Sequence, residues 1–439
     1  MLKRLCNKLL IGLKVTLIEK DDIGSKTSSW STKLIHGGIR YLENYEFRLV
    51  RESLKEREII KKIAPHITKP IRFVLPHVPS LRPSWLIRLG LIMYDWLGGV
   101  ITFPKSRFVS LEKDFKENPL KDNFKIGYEY SDLFVDDARL VFLNAEDAIN
   151  RGSKIYTNTS IINTKRNSDN WEITLNNGDI LKTKVVINAT GPYAVDVLKN
   201  ICGIDSKKKL RHIQGSHIIV NEIYKGDQSY ILQLSDKRII FLIPYLNKYT
   251  LIGTTDHEVS SYENPKITNE EKQYLINSVN SFVQNKISDK DIVWTYSGVR
   301  PLVEDFNKKA SKITRDYTFE IDESLAPVLT IFGGKLTTYR KLSEHALEKL
   351  EKYLDFSKKS WTGEEVLPGG DNIFKTEIKI PTRLLLRLKD IYGNKVNRLN
   401  EYFMELGNGG EKITDDLYEF EVKYPVSYTH LTLPTTPYV

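Results

Sequence analysis

The chain has 439 residues, 41% of them hydrophobic and 28% charged, a profile that excludes intrinsic disorder and leaves room for two or three domains. Two cysteines, Cys6 and Cys202, exclude both a disulfide framework and a four-cysteine zinc site. The excess of 65 Lys and Arg over 56 Asp and Glu allows anionic partners, but it is dispersed in clusters as short as Lys207-Lys208-Lys209, and no nucleic-acid recognition motif accompanies it.

The opening MLKRLCNKLLIGLKV is basic, then apolar. It lacks a small-residue cleavage site and runs straight into a strand, so it is not read as a signal peptide. Lys14–Glu19, β-branched and ending in an acid, reads as that strand, and the Gly-, Ser- and Thr-rich stretch Asp21–Ile35 reads as loop. Tyr45–Ile63 is an amphipathic helix, with Phe47, Val50, Leu54, Ile59, Ile60 and Ile63 at helical spacing, a Glu58–Lys62 pair and a stop at Pro65. Trp85–Phe103 is the most apolar stretch. Arg88 and Asp95 interrupt it, so it either lies flat on a membrane surface, with Trp85, Tyr94 and Trp96 at the interface, or packs as a core or domain-interface helix. Asp136–Arg151 is a helix closed by Gly152. Trp171–Leu175 and Ile180–Asn188 form a hairpin at Asn177-Gly178, and Lys184–Ala189 is a buried strand entering Thr190-Gly191-Pro192. Arg238–Thr255 is antiparallel sheet folded at Leu246-Asn247-Lys248. Leu329–Phe332 is a strand followed by Gly333-Gly334-Lys335 and a helix to about Tyr353; Thr382–Tyr392 is a helix with a Thr cap and Gly393 behind it. Strands alternating with helices at both ends of the first 350 residues, with antiparallel sheet between, give an α/β (α+β overall) fold. Its Rossmann-like nucleotide domain is discontinuous, a substrate domain is inserted in it, and the last ~80 residues form a small helical appendage.

Five stretches carry chemistry. Glu19 ends a strand, where a dinucleotide site places its ribose-binding acid, yet the glycine-rich GxGxxG turn that should precede it is absent and Gly12 is the sole glycine upstream. Thr27–Tyr41, TSSWSTKLIHGGIRY, combines small hydroxyl residues and paired glycines with His36, Arg40 and Tyr41. Val186–Pro192 brings bare backbone to a strand end. Trp294–Leu302 and Ile313–Tyr317 each hold one arginine, Arg300 and Arg315, the planar donor suited to phosphate. Phe332–Arg340 sets two glycines and Lys335 at a helix start, an anion site. The other glycine cluster, Gly407-Asn408-Gly409-Gly410, follows a helix and reads as loop.

These stretches, with YSDLFVDDARL, QGSHIIV, DKRIIFLIPY and IGTTD, occur in one order that resembles the FAD-dependent, quinone-linked glycerol-3-phosphate dehydrogenases of bacteria from about Gly12 to about Tyr424. HGGIRYLE and FGGKLTTYRK are the most specific blocks. The resemblance implies FAD as cofactor, oxidation of sn-glycerol 3-phosphate to dihydroxyacetone phosphate, and a peripheral position on the inner face of the cytoplasmic membrane. The partners implied are glycerol 3-phosphate, a quinone and an anionic membrane surface, with a homodimer as an open assembly and no nucleic acid or metal. It assigns Arg40, Tyr41, Arg300, Arg315 and Lys335 to the substrate clamp, with a hydroxyl from Thr254 or Thr255. His217 is the first choice at the reacting alcohol and His36 the second, with Arg300 also in the catalytic set. On the cofactor side it implies Glu19, Thr27, Ser28, Ser29, Thr32, Lys33, Leu34, Ala189, Thr190, Gly191, Gly334, Lys335, Leu336 and Thr337. The implied domains are FAD-binding, 1–62, 131–200 and 311–353; substrate-binding, 63–130 and 201–310; C-terminal helical, 354–425; and a non-native tail, 426–439.

The chain departs from the family pattern at both ends. The family's first strand and Gly-rich turn have no counterpart, and Val426–Val439 has no Lys, Arg, Asp or Glu and reads like translated adapter sequence. The expectation is a chain cut short at both ends, with weakened flavin affinity. Two alternatives stand beside the dehydrogenase: an oxidase that uses O2, and an inactive fragment that binds only phosphate or lipid.

Overall fold

The computed structural model describes residues 13–99, 102–236, 238–304, 316–356, 360–371, 378–414 and 417–428. Expectations that fall on residues 1–12, on Arg315 and on residues 429–439 lie outside them. The α-helices among these residues are α1 (Phe47–Ile63), α2 (Ser84–Leu97), α3 (Asp137–Asn150), α4 (Ala194–Asn200), α5 (Asn269–Asn280), α6 (Tyr339–Leu350), α7 (Thr382–Tyr392), α8 (Val396–Glu405) and α9 (Glu419–Tyr428).

The fold is mixed α/β with a helical C-terminal region. Its largest sheet has ten strands among the described residues. In spatial order they run His257–Glu258, Leu210–Asn221, Tyr249–Gly253, Ile239–Tyr245, Ser229–Gln233, Thr68–Pro76, Ile126–Val135 and Leu34–Ile35; Ile292–Val303 pairs with Leu210–Asn221, and Arg107–Ser110 with Ile126–Val135. Pairing is antiparallel except between Ser229–Gln233 and Thr68–Pro76. The two-residue period sorts side chains cleanly. Val74, Ile218, Tyr230, Leu242 and Ile252 pack on one face with Leu275 and Val279 of α5. Their chain neighbours Phe73, Ile219, Ile231, Phe241 and Leu251 pack on the other with Val50 and Leu54 of α1 and Leu91 and Tyr94 of α2. A one-residue slip would exchange the two sets, so both cores fix the register.

Outside the large sheet, parallel pairing among the described residues occurs in two separate pieces. Thr16–Ile18 pairs with Lys154–Tyr156, and Val186–Asn188 pairs with Val328–Phe332, which carries Thr318–Asp322 on its other edge. Among the described residues no strand joins these pieces. The expected hairpin at Asn177-Gly178 forms, but its second strand is Ile180–Thr183; Val186–Asn188 leaves for the parallel piece. Phe47 is partly exposed rather than on the core face of α1, and Glu58 accepts from the Thr102 hydroxyl (2.7 Å) and meets Arg57. Thr382 is the first residue of α7 and makes no cap; Pro381 precedes it.

Helices α7, α8 and α9 enclose their own core of Leu388, Tyr392, Leu399, Phe403, Phe420 and Tyr424, and α7 rests on the turn Pro65–Ile67. His66 in that turn has both ring nitrogens buried without a hydrogen-bond partner. Burial, then the charges of Lys395 and Arg139, pull its imidazole down to about 4. The folded chain therefore favours neutral His66. Its contribution is whole above the unfolded value near ~6.5 and is lost as pH falls from there towards 4. The Tm is expected to drop across that window, and His66→Asn is expected to flatten the drop in thermal melts recorded at half-unit pH steps.

Candidate active site

One cavity of about 1060 Å³ runs between the parallel strands and the large sheet. That is the upper end of ligand-pocket sizes, enough for a dinucleotide and a small substrate together. Glu19, at the end of Thr16–Ile18, stands on its wall and accepts from the Asp21 amide (3.2 Å). The 25–36 loop forms the adjoining wall. Thr27 donates to the Val299 carbonyl (3.1 Å), and Ser28, Thr32, Leu34 and His36 line the space. Ala189, Thr190 and Gly191 approach from the end of Val186–Asn188, and Gly334, Lys335, Leu336 and Thr337 precede α6. Gly333 and Gly334 have φ of +76° and +100°, a backbone that L side chains rarely adopt, and this leaves their peptides bare against the cavity.

Arg40, Arg300 and Lys335 also line the cavity. Arg40 and Tyr41 lie on the 3₁₀ turn Ile39–Asn44, and Lys335 Nζ sits 3.7 Å from the centre of the Tyr41 ring. Arg300 donates to Asp256 Oδ1 (2.5 Å) and to Thr254 Oγ1 (3.0 Å), and all three line the cavity. Asp256 is the acid of IGTTD, next to residues the motif analysis named, and that adjacency was the available signal. The apolar wall of Tyr130, Ile231 and Phe241 was not anticipated; alternation in the central strands was its signal.

Four expected residues lie behind the wall. Ser29 is buried with its hydroxyl unpartnered. Thr255 donates to Glu271 Oε1 (2.6 Å) and accepts from the Ser216 amide (2.9 Å), inside the sheet. His217 is 1% exposed, stacks on Tyr296 (4.6 Å between centroids), and meets the cavity only through Thr32, whose Oγ1 is 2.9 Å from its Nε2. Burial, then the charges of Arg300 and Lys33, hold its imidazole far below the usual range, so it stays neutral. Lys33 turns inward at φ +59° onto Asp137 Oδ1 (2.6 Å). Burial pulls its ammonium down, but Asp137, Tyr296, Tyr245 and Asp136 together outweigh that and hold it above its ordinary value.

The cavity suits FAD. An acid at a parallel strand end, bare glycine backbone at two other stretches, and the cations Arg40, Arg300 and Lys335 all line it.

Lys33→Met would leave the Asp137 carboxylate buried without its cation. About 3–5 kcal/mol of stability should be lost, read as a lower urea midpoint at unchanged slope.

Comparison with known proteins agrees with this geometry. A model of the "FAD dependent oxidoreductase" family matches residues 4–340. The chain is 44% identical over 444 residues to a glycerol-3-phosphate dehydrogenase of Pseudomonas tolaasii, an alignment spanning 96% of this chain and 85% of that protein. It is 41% identical over 434 residues to D-erythritol 1-phosphate dehydrogenase of Brucella abortus (strain 2308), spanning 95% and 86%. In fold it is similar to the glycerol-3-phosphate dehydrogenase of Bacillus halodurans complexed with FAD, at a TM-score of 0.70 and 23% identity over 92% of this chain and 76% of that one. With the family matched over most of its length and a cavity shaped for the cofactor, the chain belongs to the FAD-dependent oxidoreductases and is an enzyme of that family.

Proposed function

We propose that the chain oxidises sn-glycerol 3-phosphate to dihydroxyacetone phosphate and passes the electrons to a membrane quinone. The observation that carries this reading is that Arg40, Arg300 and Lys335 line the same cavity as the residues that suit FAD. Glu19 would hold the ribose hydroxyls, Thr27, Ser28 and Thr32 the pyrophosphate side, and the backbone of residues 189–191 and 334–337 the ring side. When bound, FAD accepts the hydride equivalent released from C2 of the substrate and later gives up two electrons. The three cations bind the phosphate dianion by charge-assisted hydrogen bonds and fix C2 against the wall. Asp256 keeps the Arg300 fork oriented, and Thr254 beside it is the hydroxyl that faces substrate. Of the two histidines, His36 is the one that lines the cavity, so a His36 ring nitrogen takes the proton leaving the C2 hydroxyl. His217, neutral behind Thr32, orients that hydroxyl. The residues 1–62, 131–200 and 311–353 serve the cofactor and 63–130 and 201–310 the substrate.

Quinone as acceptor is supported by α2. Ile87, Leu91 and Tyr94 face inward, while Trp85, Leu89, Ile92 and Trp96 present an exposed apolar face on a chain of net charge +9. No helix of the described residues is long and apolar enough to cross a membrane. The reading is therefore a peripheral position on the anionic inner face, with α2 lying in the interface. D-erythritol 1-phosphate is a second substrate reading, favoured by the near-equal identity of the chain to a dehydrogenase of that name. The two differ by the length of the polyol beyond the oxidised carbon.

The purified chain loaded with FAD is expected to lose its visible flavin absorbance when glycerol 3-phosphate is added without oxygen. Recovery of colour should be faster with a soluble quinone than with air. Bleaching by D-erythritol 1-phosphate alone would transfer the assignment to the longer polyol, and no bleaching by either would overturn it. Arg40→Ala should raise KM about 10- to 100-fold, the loss of one charge-assisted phosphate contact, with flavin content unchanged; steady-state kinetics and the absorbance ratio of flavin to protein check both.

A further inference from the structure

We infer that Tyr94, outside the cavity and buried rather than at the membrane interface expected of it alongside Trp85 and Trp96, is a positioning residue for the catalytic turn. Its hydroxyl donates to Asp132 Oδ1 (2.7 Å) and accepts from the Gly37 amide (2.8 Å). Asp132 is itself fixed by Arg57 Nη1 (3.0 Å) and lies 3.4 Å from the same Gly37 amide. Gly37 is the peptide between His36 and Gly38, both on the cavity wall, and Gly38 starts the 3₁₀ turn that carries Arg40 and Tyr41. One buried phenol thus holds the link between the proposed proton acceptor and the proposed phosphate grip.

The clamp is tight on both sides. A Cβ at Gly37 would stand 2.6 Å from the Tyr94 oxygen and 2.6 Å from Leu54 Cδ2, so Tyr94 and Leu54 close on this peptide from α2 and α1. The Tyr94 ring is 2% exposed and meets Tyr130, another cavity residue, edge-on at 5.7 Å. Without the hydroxyl, Gly37 N–H keeps only the long contact to Asp132, and the His36–Gly38 segment can shift by the few tenths of an ångström to which hydride and proton transfer are sensitive.

The test is Tyr94→Phe in the FAD-loaded enzyme, with Tyr128→Phe as comparison. Tyr128 is equally buried against the same helix and donates to the Ser84 carbonyl (3.0 Å), but it does not reach Gly37 or the cavity. Tyr94→Phe should lower kcat about 5- to 20-fold with KM changed less than threefold, and leave flavin content and Tm as in Tyr128→Phe, which should keep wild-type kcat. Equal kcat in the two variants, or a loss of flavin or Tm that accounts for the lost activity, would overturn the inference and make Tyr94 a packing residue. The inference rests on the proposed reaction, and the wild-type rate separates the two: a wild-type enzyme that does not turn over glycerol 3-phosphate sinks the reaction, whereas a wild-type rate fully kept by Tyr94→Phe sinks only the role of Tyr94.

Discussion

The buried pair Lys33–Asp137 is the interaction on which the site's geometry depends. Both side chains are almost entirely removed from water, and Asp137 also accepts from the Ser31 amide (3.1 Å) and hydroxyl (2.7 Å) at the start of α3. The three bonds stitch the 25–36 loop, which has almost no regular structure of its own, to a rigid helix end. Burying two charges is expensive unless geometry and extra hydrogen bonds repay it, and here the pair holds Lys33 in a left-handed backbone turn that its side chain alone disfavours. That turn points Thr32 and Leu34 outward into the cavity. A second buried carboxylate, Asp132 with Arg57, fixes the next segment, and a third cluster, Arg340 with Glu56 and Glu344, ties α6 to α1 below it. This part of the cavity wall is irregular backbone held by charges, facing the wall that the sheet supplies.

Elements with strong local periodicity were legible in the sequence. The α1 stripe of Val50, Leu54, Ile60 and Ile63 is buried as its spacing requires, and Asp136 caps α3 by accepting from the Arg139 amide (2.9 Å). What escaped was long-range pairing. Nothing in KVVINA itself says that Val186–Asn188 leaves the hairpin for Val328–Thr330, since the partner lies far along the chain. The site was legible as a set of residues and less so as a surface. Lys33 and Thr255 sit within motifs whose neighbours reach the cavity, yet each turns inward to a buried carboxylate, Asp137 or Glu271, whose position only the folded sheet and helices determine. His217 is the same case: alternation along Leu210–Asn221 places it against Tyr296 and Gly253, where a Cβ would collide with the imidazole.

Polyol phosphates and the proposed acceptor make opposite demands on one protein. The phosphate needs dense positive charge in a partly enclosed site, which Arg40, Arg300 and Lys335 would supply under the proposed reaction. A lipid-soluble acceptor needs an apolar surface, which the outer face of α2 supplies. Helix α2 is apolar on both faces: the inner one packs in the core, and the outer one is the face that the proposed acceptor would use.

The cavity wall draws on residues 17–46, 130–144, 159–161, 189–201, 215, 231–256, 298–302 and 333–339, segments scattered along the first 340 residues. Such an arrangement has high contact order, since the segments that meet lie far apart in the chain. It also makes ligand occupancy a term in the stability of the whole body rather than of one loop. A ligand at a hundred times its dissociation constant adds ~2.7 kcal/mol to everything it bridges. FAD bound there would act as a cross-link between segments whose backbones scarcely pair with one another, and resistance of the enzyme to unfolding would rise with its flavin supply.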